Sequence, residues 1–144
     1  MWQRIQTLYL TIATGLIITM FFSAMATAIG TDGAVAQIAW IDKIPYLCLM
    51  ISILVANASA LVTFKFRTLQ MRVATIAALM LIGFQIWIAI DYFNAPDGIV
   101  FKFTAVFPVV AAILDILAIR GIVADQVMVE SFSRLRTSKK NRKR

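Results

Sequence analysis

Few residues in this chain can carry a proton, an electron or a metal. It has no His, a single Cys (Cys48), and seven Asp and Glu spread along its length. Haem ligation, zinc sites and imidazole acid–base chemistry need His or grouped Cys, and one Cys makes neither a disulfide framework nor a CxxC pair. No cofactor or metal site is therefore expected. The residue that stands out is Asp115, inside an apolar run, with Asn57 and Gln85 inside two others. A carboxylate at the centre of a membrane-spanning helix costs about 2.5–3.5 kcal/mol on insertion scales, so it must face protein, water or a partner. Counted from the outer helix ends at ~1.5 Å per residue, Asp115 and Asn57 lie about 16 and 20 Å deep, and Gln85 about a turn nearer the outside. A cluster of Asp115, Asn57 and Gln85 can do one of two things. It can bind a proton or cation, or it can clasp helices together at ~0.6–2 kcal/mol per hydrogen bond. A proton pathway usually strings several ionisable groups in series; the interior here holds one, which favours the clasp. A third option has Asp115 facing an Arg or Lys of a partner subunit.

The elements that position these residues follow from hydropathy. Of 144 residues, 61% are apolar and 15% charged, more greasy surface than a soluble fold of this size can hide. The apolar residues fall in blocks at Ile5 to Ile29, Ile44 to Phe64, Val73 to Ile90 and Thr104 to Val123, each near the ~20 residues that cross a ~30 Å hydrocarbon core. Continuous apolar runs without in–out alternation exclude a barrel. The expected fold class is all-α: a polytopic membrane protein, an antiparallel bundle of four transmembrane helices, forming one domain over residues 1–136. Met1 to Ala28 also has the parts of a signal peptide, but its apolar stretch is longer than a typical h-region, so it is expected to stay as the first helix.

Of the 14 basic residues, all but Lys43 and Lys102 fall at one end of this bundle, which predicts cytoplasmic N and C termini. Asp32, Asp42, Asp91 and Asp97 fall on the other side. Asp42 is placed to cap the second helix, with Pro45 in its first turn, and Asn94 to Gly98 to turn between the third and fourth. Trp2, Tyr9, Trp40, Tyr46, Trp87, Tyr92 and Phe93 lie near block ends, where amphipathic rings favour the membrane interface.

Two surfaces can bind. Thr7, Thr11, Gly15, Thr19, Ser23 and Thr27 recur every four residues, a small-residue column that lets another helix approach closely. Packing inside the bundle is the favoured use; a docking face for another membrane protein is the sharper one. After Val123, Ala124, Met128, Phe132 and Leu135 share a face, which suggests that helix four extends as an amphipathic cytoplasmic segment to residue 136. Arg134, Arg136, Lys139, Lys140, Arg142, Lys143 and Arg144 then make a basic tail, disordered over 137–144, that suits anionic headgroups at up to ~1 kcal/mol per charge. No aromatic is interleaved with these charges, so nucleic acid is not an expected partner.

The opening Gln3-Arg4-Ile5-Gln6-Thr7-Leu8-Tyr9-Leu10 and the segment Arg120-Gly121-Ile122-Val123-Ala124-Asp125-Gln126-Val127-Met128-Val129-Glu130-Ser131-Phe132-Ser133-Arg134-Leu135-Arg136 resemble the two ends of the DUF4293 family, uncharacterised four-helix membrane proteins of Bacteroidota. Gln126 and Ser133 stand where the resemblance leads one to expect acidic residues. The resemblance implies a bacterial inner membrane and supplies no activity. The expected function is a non-enzymatic accessory or scaffold protein in a larger membrane assembly, bound to another membrane protein or to itself. The alternative is a small transporter or proton- or ion-conducting oligomer using Asp115, Asn57 and Gln85. A membrane enzyme comes third, since Asp and Asn alone could serve a lipid-modifying reaction only if an interfacial pocket gathered Asp91, Asp97 or Asp125 near them.

Overall fold

The computed structural model describes residues 2–30 and 33–141, and within them the side chains of all but residues 2–4, 64 and 133–141. Four helices carry the fold: α1 (Trp2–Phe21), α2 (Ile44–Val62), α3 (Arg67–Phe93) and α4 (Phe107–Asn141). Stretches Ile44–Val62, Arg67–Phe93 and Phe103–Phe132 are long and apolar enough to cross a membrane, and Ile5–Phe21 is a shorter apolar helix. Lipid offers backbone groups no hydrogen bonds, so apolar runs of this length close their own as helices.

Each helix buries a seam in alternating steps of three and four residues. The seams are Gln6, Leu10, Ala13, Ile17 and Met20 on α1; Tyr46, Met50, Ile53, Asn57 and Ala60 on α2; Gln70, Ala74, Ala77, Leu81, Phe84 and Ile88 on α3; and Ala111, Asp115, Ala118 and Ile122 on α4. That spacing is the signature of helices crossing at a shallow angle with interlocked side chains. Helix α4 packs on α1 and α3, and α2 completes the ring against α3 and α1. Leu10, Ala60, Ala74 and Ala118, one residue from each helix, pack as a single layer.

The departure from an all-helical chain is at one end of the bundle. Helix one was expected to run to Ile29, but it stops at Phe21, and Ala24–Ile29 forms strand β1. It is the centre of an antiparallel sheet of order β2-β1-β3, with β2 at Val35–Ala39 and β3 at Ile99–Phe101. Ser23 helps the stop by donating its hydroxyl to the Met20 carbonyl at 3.1 Å. Gly98, at φ +95°, supplies the left-handed turn into β3, and a Cβ there would lie 3.0 Å from the Ile29 carbonyl oxygen.

Three smaller expectations also change. Asp42 does not cap α2; its carboxylate accepts from the Ala39 amide at 2.8 Å, and the N-cap of α2 is Lys43 without a side-chain bond. Trp40 and Tyr46, placed at the interface by sequence, are in the core at 0% and 2% exposure. Trp40 and Tyr46 meet edge to face at 6.0 Å between centroids, with Phe84 against both. Finally, α4 continues as helix through Asn141, so residues 137–141 are helical rather than disordered, and 142–144 lie outside the described residues.

Candidate functional site: a buried carboxyl–amide pair

The Asp115 and Asn57 side chains meet at the centre of the bundle, both 0% exposed. Helices α2 and α4 both start at the sheet end and run the same way on opposite sides of the four-helix ring, which brings the two residues level, and the three–four spacing puts Ala13 of α1 and Ala77 of α3 in the same layer. Both alanines are fully buried. Their small side chains leave room for a carboxyl and an amide between four closely approaching backbones, which seals the pair from lipid. The Asn57 amide fits in two ways. With Nδ2 toward the carboxylate it donates to Oδ1 at 3.1 Å and Oδ2 at 3.2 Å. Turned over, Nδ2 donates to the Ile53 carbonyl at 3.3 Å, and the amide oxygen faces the carboxyl, which suits an Asp115 that carries a proton. Either state of the acid is therefore satisfied inside the protein. Chemically, the pair can hold a proton and can hold two helices together.

Gln85 does not join it. The structure gives its side chain no hydrogen bond among the described residues; its Oε1 is buried without a partner, and the residue lines a groove between α3 and the start of α4. The three-residue cluster expected from depth alone is therefore a pair. Depth fixes the level of a residue in a bundle; the helix face decides its neighbours, and Gln85 is one position off the α3 seam at Phe84.

The small-residue column of α1 also changes meaning. Thr7, Thr11 and Thr19 are exposed and Gly15 is half-buried, with nothing within 4 Å of where its Cβ would sit. Thr11 donates to the Thr7 carbonyl and Thr19 to the Leu16 carbonyl, each at 2.7 Å, so the column is an outward face on which the Thr11 and Thr19 hydroxyls bond their own helix. Packing inside the bundle, the favoured use of this column, is not what it does. Ser23 lies past the end of α1, and Thr27 is in β1, where its hydroxyl donates to the Val100 carbonyl at 3.3 Å. Of the basic tail, Arg134, Arg136, Lys139 and Lys140 lie on the helical backbone of α4 with side chains outside the described residues; Arg142, Lys143 and Arg144 lie outside altogether.

Two polar contacts escaped the sequence reading. At the sheet end, Lys43 donates to Asp91 at 3.2 Å and the Tyr46 hydroxyl to the same carboxylate oxygen at 2.5 Å, which ties the start of α2 to the end of α3. Opposite charges at the two ends of a helical hairpin were the available signal. At the other end, the Gln6 amide, 6% exposed, donates to Asp125 at 3.0 Å and lies against Gly121, where a Cβ would come within 2.9 Å of the Gln6 Cγ. Beside it, Gln126 donates to the Thr68 hydroxyl at 3.4 Å. The segments around Gln6 and Gly121–Gln126, far apart in sequence, thus form one junction. Asp91 and Asp125 lie at opposite ends of the bundle, too far apart for one pocket.

A family model described as "Domain of unknown function (DUF4293)" matches residues 2–135. No curated protein and no solved structure matches the chain.

Proposed function

The chain belongs to the DUF4293 family, and from that premise we propose that it is a small accessory or scaffold protein of a larger assembly in the bacterial inner membrane. In this reading four helices cross the bilayer with both termini cytoplasmic, as the distribution of Lys and Arg favours. The observation that carries the proposal is the outward column Thr7, Thr11, Gly15 and Thr19 on α1. The bundle leaves it uncovered, and small residues in file let a second helix approach to van der Waals contact, the main source of helix association in lipid. The partner is another membrane protein or a second copy of this one. The basic end of α4 adds attraction to anionic headgroups.

The alternative, a transporter or conducting oligomer built on Asp115 and Asn57, draws less support. The carboxyl is fully buried and paired, and Gln85 stands apart from it.

Site-specific photocrosslinking in intact cells tests the docking face. A crosslinker at Thr11 or Thr19 should capture one discrete protein, this chain or another, and Gly15→Leu should abolish that product without lowering the thermal midpoint. A crosslinker at Ile90, on exposed α3, should capture none. Equal, diffuse products at all three positions would remove the docking role.

A further inference from the structure

Between the outer half of α3 and the segment that leads into α4 lies an open groove of about 400 Å³. Ile88, Ala89 and Val106 line it with the rings of Tyr92, Phe101 and Phe103. Two polar groups break this apolar surface. One is Gln85, whose amide makes no hydrogen bond among the described residues and whose Oε1 is buried without a partner. The other is Lys102, which makes no ion pair among the described residues, unlike Lys43, held by Asp91. Asp97, on the preceding turn, does not line the groove.

A buried amide oxygen without a donor loses its hydration for nothing in return, and buried polar atoms in native structures nearly always have partners. Lipid tails cannot supply one. Rotated toward the groove that it lines, the Gln85 amide can take that donor from an occupant, which also brings a negative charge to Lys102 and presents hydrocarbon to the aromatic wall. The volume is that of a small-molecule site, room for one part of an amphiphile around its polar–apolar junction. We propose that this groove binds an anionic lipid with a hydroxyl or amide at the root of its acyl chain. The anionic head lies on Lys102, the hydroxyl or amide pairs with the Gln85 amide, and the chain runs along Ile88 and Val106. An ester linkage does not fit, because it accepts and cannot donate. The proposal rests on α3 and α4 lying in the membrane and is independent of the docking role of α1.

Native mass spectrometry of the full-length protein in mild detergent, titrated with defined lipids, tests it. Lysophosphatidic acid offers a free hydroxyl, ceramide 1-phosphate an amide and a hydroxyl, and two-chain phosphatidic acid the same phosphate head without a donor at the chain root. One or both of the first two should bind about tenfold more tightly than phosphatidic acid, the worth of one hydrogen bond at ~1.4 kcal/mol; equal binding of the two makes the hydroxyl sufficient, and a preference for ceramide 1-phosphate points to its amide. Gln85→Leu should erase that preference and raise the thermal midpoint of the lipid-free protein, since it removes an unpaired polar group. Lys102→Ala, at the groove mouth, should weaken binding of all three lipids and leave the preference intact. Equal binding of the three lipids to the native protein, or an undiminished preference in Gln85→Leu, would overturn the proposal. So would a protein crosslinked in cells to position 85, which would make the groove a helix contact.

Discussion

At the scale of single residues, the chain spends its one deep carboxyl on holding helices together. Asp115 and Asn57 satisfy each other, so the cost of removing one depends on what is left behind. Asn57→Leu should strand the carboxyl and destabilise the protein by about 1–3 kcal/mol. Asp115→Asn keeps a hydrogen-bonding partner and should cost less than ~1 kcal/mol. The double replacement Asn57→Leu with Asp115→Leu should recover most of the loss, because an apolar pair leaves nothing unsatisfied. Unfolding in mild detergent, followed by the fluorescence of buried Trp40, measures all three. Strictly additive losses would mean that the two side chains do not act as a pair.

At the scale of elements, two glycines of similar local sequence have opposite jobs. Gly121 on α4 is pressed against Gln6 of α1, whereas Gly15 on α1 opens on empty space. Gly121→Leu should push α1 off α4, break the bond from Gln6 to Asp125 and cost about 1–3 kcal/mol by overpacking. Gly15→Leu should stay within ~0.5 kcal/mol of the native protein, as surface changes do. Equal thermal shifts for the two would contradict the placement of α1. Gly98→Ala belongs with the sheet: a side chain at φ +95° and 3.0 Å from a carbonyl oxygen is strained twice, and about 1–3 kcal/mol of destabilisation is expected. Hydrogen exchange should then rise first in Ala24–Ile29, whose amides pair with both neighbours.

At the scale of the whole molecule, polar ties close both ends of an apolar bundle. Lys43, Tyr46 and Asp91 close one end beneath the sheet, and Gln6, Asp125, Gln126 and Thr68 close the other. The proposed orientation puts the sheet end outside. With Cys48 replaced by Ser, a cysteine at Asp97 should react with a membrane-impermeant maleimide in intact cells. One at Asn141 should react only after the membrane is opened. The reverse pattern would invert the topology and assign the basic end to the outside. Beyond Gln126, α4 leaves the bundle with Val127, Met128, Val129 and Phe132 exposed. At ~1.5 Å per residue its 35 residues reach about 52 Å, well past a ~30 Å core.

How much of this was legible beforehand follows from the range of each force. Hydropathy acts residue by residue, so the chain alone determined the apolar helices, the turn at Asn94 to Gly98 and the exceptional place of Asp115. The start of α2 at Ile44 was equally plain, because Pro45 can only begin a helix. The sheet was hidden because Ala24–Ile29 is apolar in either conformation. Only Gly30 and Gly33 between two short apolar runs hinted at a hairpin, and β1 becomes a strand because β2 and β3 pair with both its edges. Facing was likewise beyond the sequence. Thr7 to Thr19 and the buried column from Gln6 to Met20 both repeat at helical spacing, and which one turns inward depends on the other three helices. Tertiary structure alone paired Asp115 with Asn57 and parted them from Gln85: depth is set by counting along one helix, but contact is set by the rotation of one helix against another.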